Sequence, residues 1–221
     1  MLVVDAAERS ILRDAATIAG ATGIIGMSFG VLAVGKGIST TMTCGMSLLV
    51  FAGGSQFVLA SAAGTSLVTA VVAALLLNLR HVAYGLSIAP FLRGNLLVRA
   101  ISSHLVLDES TAYALSQPEP RLSRRAFYVV AVLLFACWQI GTLAGALLGT
   151  SIGDPRRYGI DAAFPAALLA MLWPSLDSLP VRLAAVAGAV IAVGMTPVVS
   201  PGIPIMLAGL GVLVAIAFNR R

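Results

Sequence analysis

The chain has 221 residues, 59% hydrophobic and only 10% charged, with a formal net charge of +5. A soluble domain cannot hide that much apolar surface, so the class is integral membrane protein. The charge then carries no message about nucleic acid and reports basic loops facing anionic lipid. The apolar stretches lack the period-two alternation of a membrane barrel, which leaves an all-α polytopic membrane protein of about seven or eight transmembrane helices.

Residues 1–14 mix Asp5, Glu8, Arg9, Arg13 and Asp14 and read as an interfacial segment, not a cleavable signal peptide. One transmembrane domain is expected over 15–221. A first span covers about Ala15–Gly35, with Gly20, Gly23, Gly26 and Gly30 forming a small-residue stripe that suits close helix packing. Lys36 and Gly37 turn the chain. The second span, about Thr40–Ala63, carries Gly53-Gly54-Ser55-Gln56 in an uncharged run and is expected to be discontinuous. Two readings are open: a broken-helix substrate site, or a small-residue contact with a polar clasp.

The third span, about Ser66–Phe91, places Asn78, Arg80, His81, Tyr84 and Ser87 in an apolar helix. An arginine at membrane depth either snorkels or faces a polar cavity. A fourth helix, about Asn95–Leu107, precedes Asp108 and Glu109; helical continuation puts His104 and Asp108 on one face, as a relay or gate. The other reading starts a new short helix there, with carboxylates at its positive end.

Residues 117–125 read as a loop with Pro118, Pro120, Arg121, Arg124 and Arg125. A fifth span, about Ala126–Thr150, has a second stripe, Gly141, Gly145 and Gly149. A short sixth span, about Ala162–Leu176, holds Pro165 and Pro174. The last run, Leu183–Asn219, folds back near Thr196–Pro204. Phe29-Gly30-Val31-Leu32-Ala33 resembles Ile140-Gly141-Thr142-Leu143-Ala144, which suggests an internal repeat with halves of about 15–92 and 126–200. Its copies are parallel if the fourth helix spans and inverted if it does not. Basic loops favour the N-terminus inside.

The pattern Phe29-Gly30-x-Leu32-Ala33, Met46-Ser47, Val50 through Phe57, Asn78-Leu79-Arg80-His81 and Asp108-Glu109 resembles the AzlC-type branched-chain amino acid permease family, over roughly residues 15–180. Ser110, Thr111 and Ala112 stand where that family commonly has a phenylalanine. The resemblance implies an inner-membrane exporter of branched-chain amino acids, sometimes of methionine or toxic analogues, and a small AzlD-type membrane subunit as partner.

A zwitterionic substrate needs a carboxylate site, an ammonium site and an apolar wall. Backbone N–H groups near Gly53 and Gly54, with Ser55 and Gln56, are the expected carboxylate site. Asn78 and Tyr84 are expected at the ammonium, and Met46, Phe51, Phe57 and Leu59 in the wall. Arg80, His81, His104 and Asp108 are the coupling or gating candidates, histidine because it titrates near neutral pH. No phosphate-binding loop is present, so ATP does not drive this chain by itself. No cofactor or metal is called for. The rival classes are a channel or carrier for another small zwitterion, and an intramembrane serine protease built on Ser55 and His81.

Overall fold

The computed structural model describes residues 2–61, 67–152, 176–199 and 203–219, with isolated positions between 157 and 173. The described residues are helical, with no strand among them. Helix α1 (Leu2–Gly35) is followed by α2 (Thr40–Val50), α3 (Gly53–Ser61), α4 (Leu67–Asn78) and α5 (Arg80–Ile88). Then come α6 (Leu96–His104), α7 (Asp108–Leu115) and α8 (Pro120–Ile152). The C-terminal part holds α9 (Leu179–Met195), α10 (Ile203–Ala208) and α11 (Val212–Asn219). Among the described residues, three stretches are long and apolar enough to cross a membrane: Ala7–Gly35, Ala70–Phe91 and Pro120–Ser151.

Residues 2–14 are continuous with the first span in α1. The expected 117–125 loop is helical from Pro120 onward. Proline suits a first helical position because its missing N–H would have no partner there. Arg125 then reaches Glu8 of α1 at 2.8 Å. The expected sixth span and its Pro174 lie mostly outside the described residues.

α1 and α8 form the frame. Gly23 lies against Cys137, Gly26 against Trp138, Gly30 against Thr142 and Gly145, and Gly149 against Val31. Rising numbers meet rising numbers, so the two helices run parallel. The contact is exchange-symmetric: Gly26 faces the Trp138 carbonyl as Gly141 faces that of Gly23, and Gly30 faces Thr142 as Gly145 faces Met27. This register pairs Gly26 with Gly141, one turn away from the sequence likeness that aligns Gly30 with Gly141. Without side chains in the way, the backbones approach closely enough for dispersion to hold them without a hydrophobic driving force.

Two of the expected crossings turn back instead. Gln56 of α3 donates to the carbonyls of Met46 and Ser47 on α2, at 3.4 and 3.3 Å. Ten residues along a straight helix cover about 15 Å, beyond a glutamine's reach. The chain therefore bends sharply at Phe51-Ala52, and α3 folds against α2. The pair α6–α7 does the same from the opposite end. α6 starts beside the basic end, where Arg124 donates to the Arg93 carbonyl. Its last residue, His104, reaches Leu48 of α2, and α7 then returns to put Tyr113 on Asp14 of α1. At nine residues, α6 covers about 14 Å, half of a ~30 Å hydrocarbon core. The fourth helix thus does not span, yet α1 and α8 are parallel. The expected inversion is cancelled because the second segment does not span either.

The tips of both hairpins meet halfway along the frame: Phe51 packs edge-on to Phe135, near the middle of α8, at 4.9 Å between centroids. The tip residues Leu105, Val106 and Leu107 are buried. Ser110 staples that tip, accepting from Leu107 N–H and donating to the Leu105 carbonyl.

A Cβ at Gly145 would run into the Met27 backbone, whereas one at Gly20 meets nothing within 4 Å. Gly145→Val is expected to cost at least ~3 kcal/mol through overpacking and to remove folded protein from the membrane, with Gly20→Ala neutral. Melting temperatures and monodispersity in detergent check this.

Candidate functional site

The break after α2 leaves the carbonyls of its last turn without intrahelical partners, and lipid supplies no donors. Side chains from three elements answer them. Gln56 holds Met46 and Ser47; Gln139 of α8 also donates to Ser47 at 3.2 Å; His104 Nε2 sits 2.9 Å from the Leu48 carbonyl. With that carbonyl as acceptor, His104 carries its proton on Nε2. A fourth tie joins Ser47 Oγ to Thr142 Oγ1 at 3.2 Å. Gln56 is wholly buried, and its Oε1 makes no hydrogen bond. The clasp reading of the glutamine therefore holds for its amide nitrogen, and only its oxygen is uncommitted.

Gly53 and Gly54 turn out to matter for space and not for backbone angle. Neither adopts positive φ; among the described residues, Gly37, Gly94 and Gly159 do. The helix is broken one step earlier, at Phe51-Ala52, and the two glycines open α3. A Cβ on Gly53 would meet Trp138 Cη2 at 2.9 Å, and one on Gly54 would meet Leu77 at 3.0 Å and Arg80 Nη2 at 3.6 Å. Trp138 stacks on Phe29, which meets Phe57 edge-on, so an aromatic floor supports the start of α3.

The third span is irregular at Leu79, which joins α4 to α5 with helical backbone angles (φ −55°, ψ −27°) and a tightened turn; Asn78, Arg80 and His81 flank it. Ser55 donates toward Asn78 Oδ1 and the Ala74 carbonyl, at 2.5 and 3.1 Å. His81 Nδ1 lies 3.1 Å from the Asn78 carbonyl, and its ring meets Tyr84 edge-on. Ser55 and His81 thus turn to different groups and form no serine–histidine pair.

Arg80, at the middle of the Ala70–Phe91 stretch, does not snorkel. Its Nη1 meets Asp108 Oδ2 at 2.7 Å. Asp108 opens α7, so it does not share a helix with His104, and the expected i,i+4 relay is absent: the chain turns between them at Leu105–Leu107. The ion pair is half-used. Arg80 Nε and Asp108 Oδ1 are both buried and make no hydrogen bond. Two half-helix N-termini converge here, those of α3 and α7, each presenting partial positive charge. The Arg80–Asp108 pairing is what sequence reasoning missed: the two are 28 positions apart (108 − 80), and only the packing of the α6–α7 tip against α5 joins them. At the charged end, burial and the hydrogen bond to Asp14 push the Tyr113 phenol up to about 12, so it remains a donor at neutral pH.

This geometry defines a class: a polytopic α-helical membrane protein in which re-entrant half-helices bring buried polar groups together between long spans, the construction of secondary transporters. Residues 17–152, which include both hairpins and the α1–α8 frame, match the family described as AzlC protein. The chain belongs to the AzlC family. It is 34% identical over 168 residues to an uncharacterized membrane protein of Archaeoglobus fulgidus, covering 75% of this chain and 74% of that protein. An uncharacterized membrane protein of Helicobacter pylori strain 26695 is 31% identical over 58% of each chain. Inner membrane protein YgaZ of Escherichia coli K12 is 31% identical over 139 residues, which are 58% of this chain and 55% of that protein. No solved structure matches.

The two glycines of α3 differ in what opposes them. Trp138 is rigid and braced, whereas Leu77 can change rotamer. Gly53→Ala is therefore expected to destabilise by about 1–3 kcal/mol and Gly54→Ala by less than half of that. Thermal unfolding of the two variants in detergent gives the order.

Proposed function

We propose that this chain is a secondary transporter that exports branched-chain amino acids (leucine, isoleucine and valine, with methionine as a further substrate) across the inner membrane. It acts as the large subunit of a two-component exporter with a small AzlD-type membrane subunit, driven by the proton-motive force. Membership of the AzlC family supports transport. The observation that carries the mechanism is the half-used Arg80–Asp108 pair where both hairpin tips meet.

A zwitterion completes that pair on both sides. Its carboxylate takes the free edge of the Arg80 guanidinium and the unpaired N–H groups at the start of α3, Gly53, Gly54 and Ser55, where the helix end favours an anion. Its ammonium takes Asp108 Oδ1, with Asn78 and Tyr84 as neighbouring oxygens. Gln56 contributes its uncommitted Oε1. Proton coupling falls to Asp108 and the histidines. Protonating Asp108 releases Arg80 and loosens the contact between the α6–α7 tip and α5.

The test is efflux of leucine, valine and methionine from peptide-loaded cells lacking their own exporters, with and without the small partner. Efflux that needs both chains supports the proposal; none, with both chains present in the membrane, sinks it. A double substitution separates binding from structure. Arg80→Gln or Asp108→Asn alone strands a charge and is expected to lower both stability and export. The Arg80→Gln/Asp108→Asn pair restores stability but leaves export down by about 2 kcal/mol, roughly 30-fold. Wild-type export by the double variant would make the pair purely structural.

A further inference from the structure

Between α5 and α6 lies a cavity of about 350 Å³, lined by His81, Gly85, Leu86, Ala89, Arg99 and Ser103, among others. It runs from the basic end, beside Leu92, to the hairpin tip at Val106. Both of its inner residues adjoin the central pair in sequence: His81 follows Arg80, and Val106 stands two before Asp108. We infer that this cavity is the subsite in which the amino acid is first held on its way to the Arg80–Asp108 pair, with its apolar side chain against α5. The inference rests on the transport function proposed above.

The lining divides as an amino acid requires. Val82, Gly85 and Leu86 of α5, with Ala89 and Leu92 just beyond its end, make one apolar wall. Arg99 faces it from α6, a cation for a carboxylate, while the Ser103 hydroxyl beside it donates to the Arg99 carbonyl at 2.8 Å. His81 engages the Asn78 carbonyl through Nδ1, and its buried Nε2 makes no hydrogen bond. With the proton on Nδ1, Nε2 is an unused acceptor beside the cavity, closed to solvent in this structure. The volume, open on one side, is at the small end of the ~300–1,000 Å³ typical of ligand sites and is enough for one amino acid.

Gly85 supplies the decisive variant. A Cβ there meets nothing within 4 Å, so a larger side chain grows into the cavity without displacing packed neighbours. The full chain is expressed with its small partner. Gly85→Leu is expected to lower leucine export at least ~10-fold while membrane level and melting temperature stay unchanged. Gly85→Ala, a smaller plug, shifts the leucine-to-valine export ratio toward valine. In a Cys44→Ala/Cys137→Ala background, saturating leucine slows labelling of Gly85→Cys by a water-soluble thiol reagent. Wild-type leucine export by Gly85→Leu, or labelling indifferent to leucine in a protein that exports it, overturns the subsite and leaves transport standing. No export of any amino acid by the unmodified pair overturns the transport function and the subsite together.

Discussion

Lipid has no hydrogen bonds to offer, and the fold is arranged around that constraint. A helix that stops halfway across a membrane exposes carbonyls at one end and amides at the next beginning, each costing several kcal/mol if left bare. Here the α2 carbonyls are answered by Gln56, Gln139 and His104, drawn from three elements. Those bonds fasten α3 back onto α2, fix the α2 end to α8, and bring the tip of α6–α7 to the tip of α2–α3. The ends of broken helices are thereby the fold's main long-range connectors.

The frame meets a different requirement. α1 and α8 have no water-driven reason to associate, so they rely on closeness, and the interlocked glycines provide it. A rigid parallel pair with a fixed register is what allows half-helices to be positioned against it. Trp138 and Phe135 of α8 brace α3 and Phe51, while Tyr128 holds α6 through Ser102 at 2.8 Å. The short helices then present their polar ends at one depth, beside a central ion pair.

That pair is only partly used as a brace. A structural arginine–carboxylate contact gains most when bidentate and fully hydrogen-bonded. This one uses a single N–H and a single oxygen, and keeps its remaining buried donor and acceptor uncommitted. A cavity lies on one side of it, lined mainly by apolar residues of α5 and the turn after it and by Arg99 and Ser103 of α6.

Much of this was legible in the residues. Composition alone decided for membrane helices, the glycine stripes marked the packing faces of α1 and α8, and the Gly53–Gln56 stretch marked a broken second helix. The motifs carried the family. Tertiary structure decided the direction of the chain after each break, the role of the α3 glycines as clearance, and the pairing of Asp108 with Arg80 in place of His104. The reason is physical. A local pattern records where a helix can form or stop, because propensity and periodicity act over a few residues. Where a chain goes after stopping depends on which distant group satisfies its freed backbone, and that information exists only once the elements are assembled.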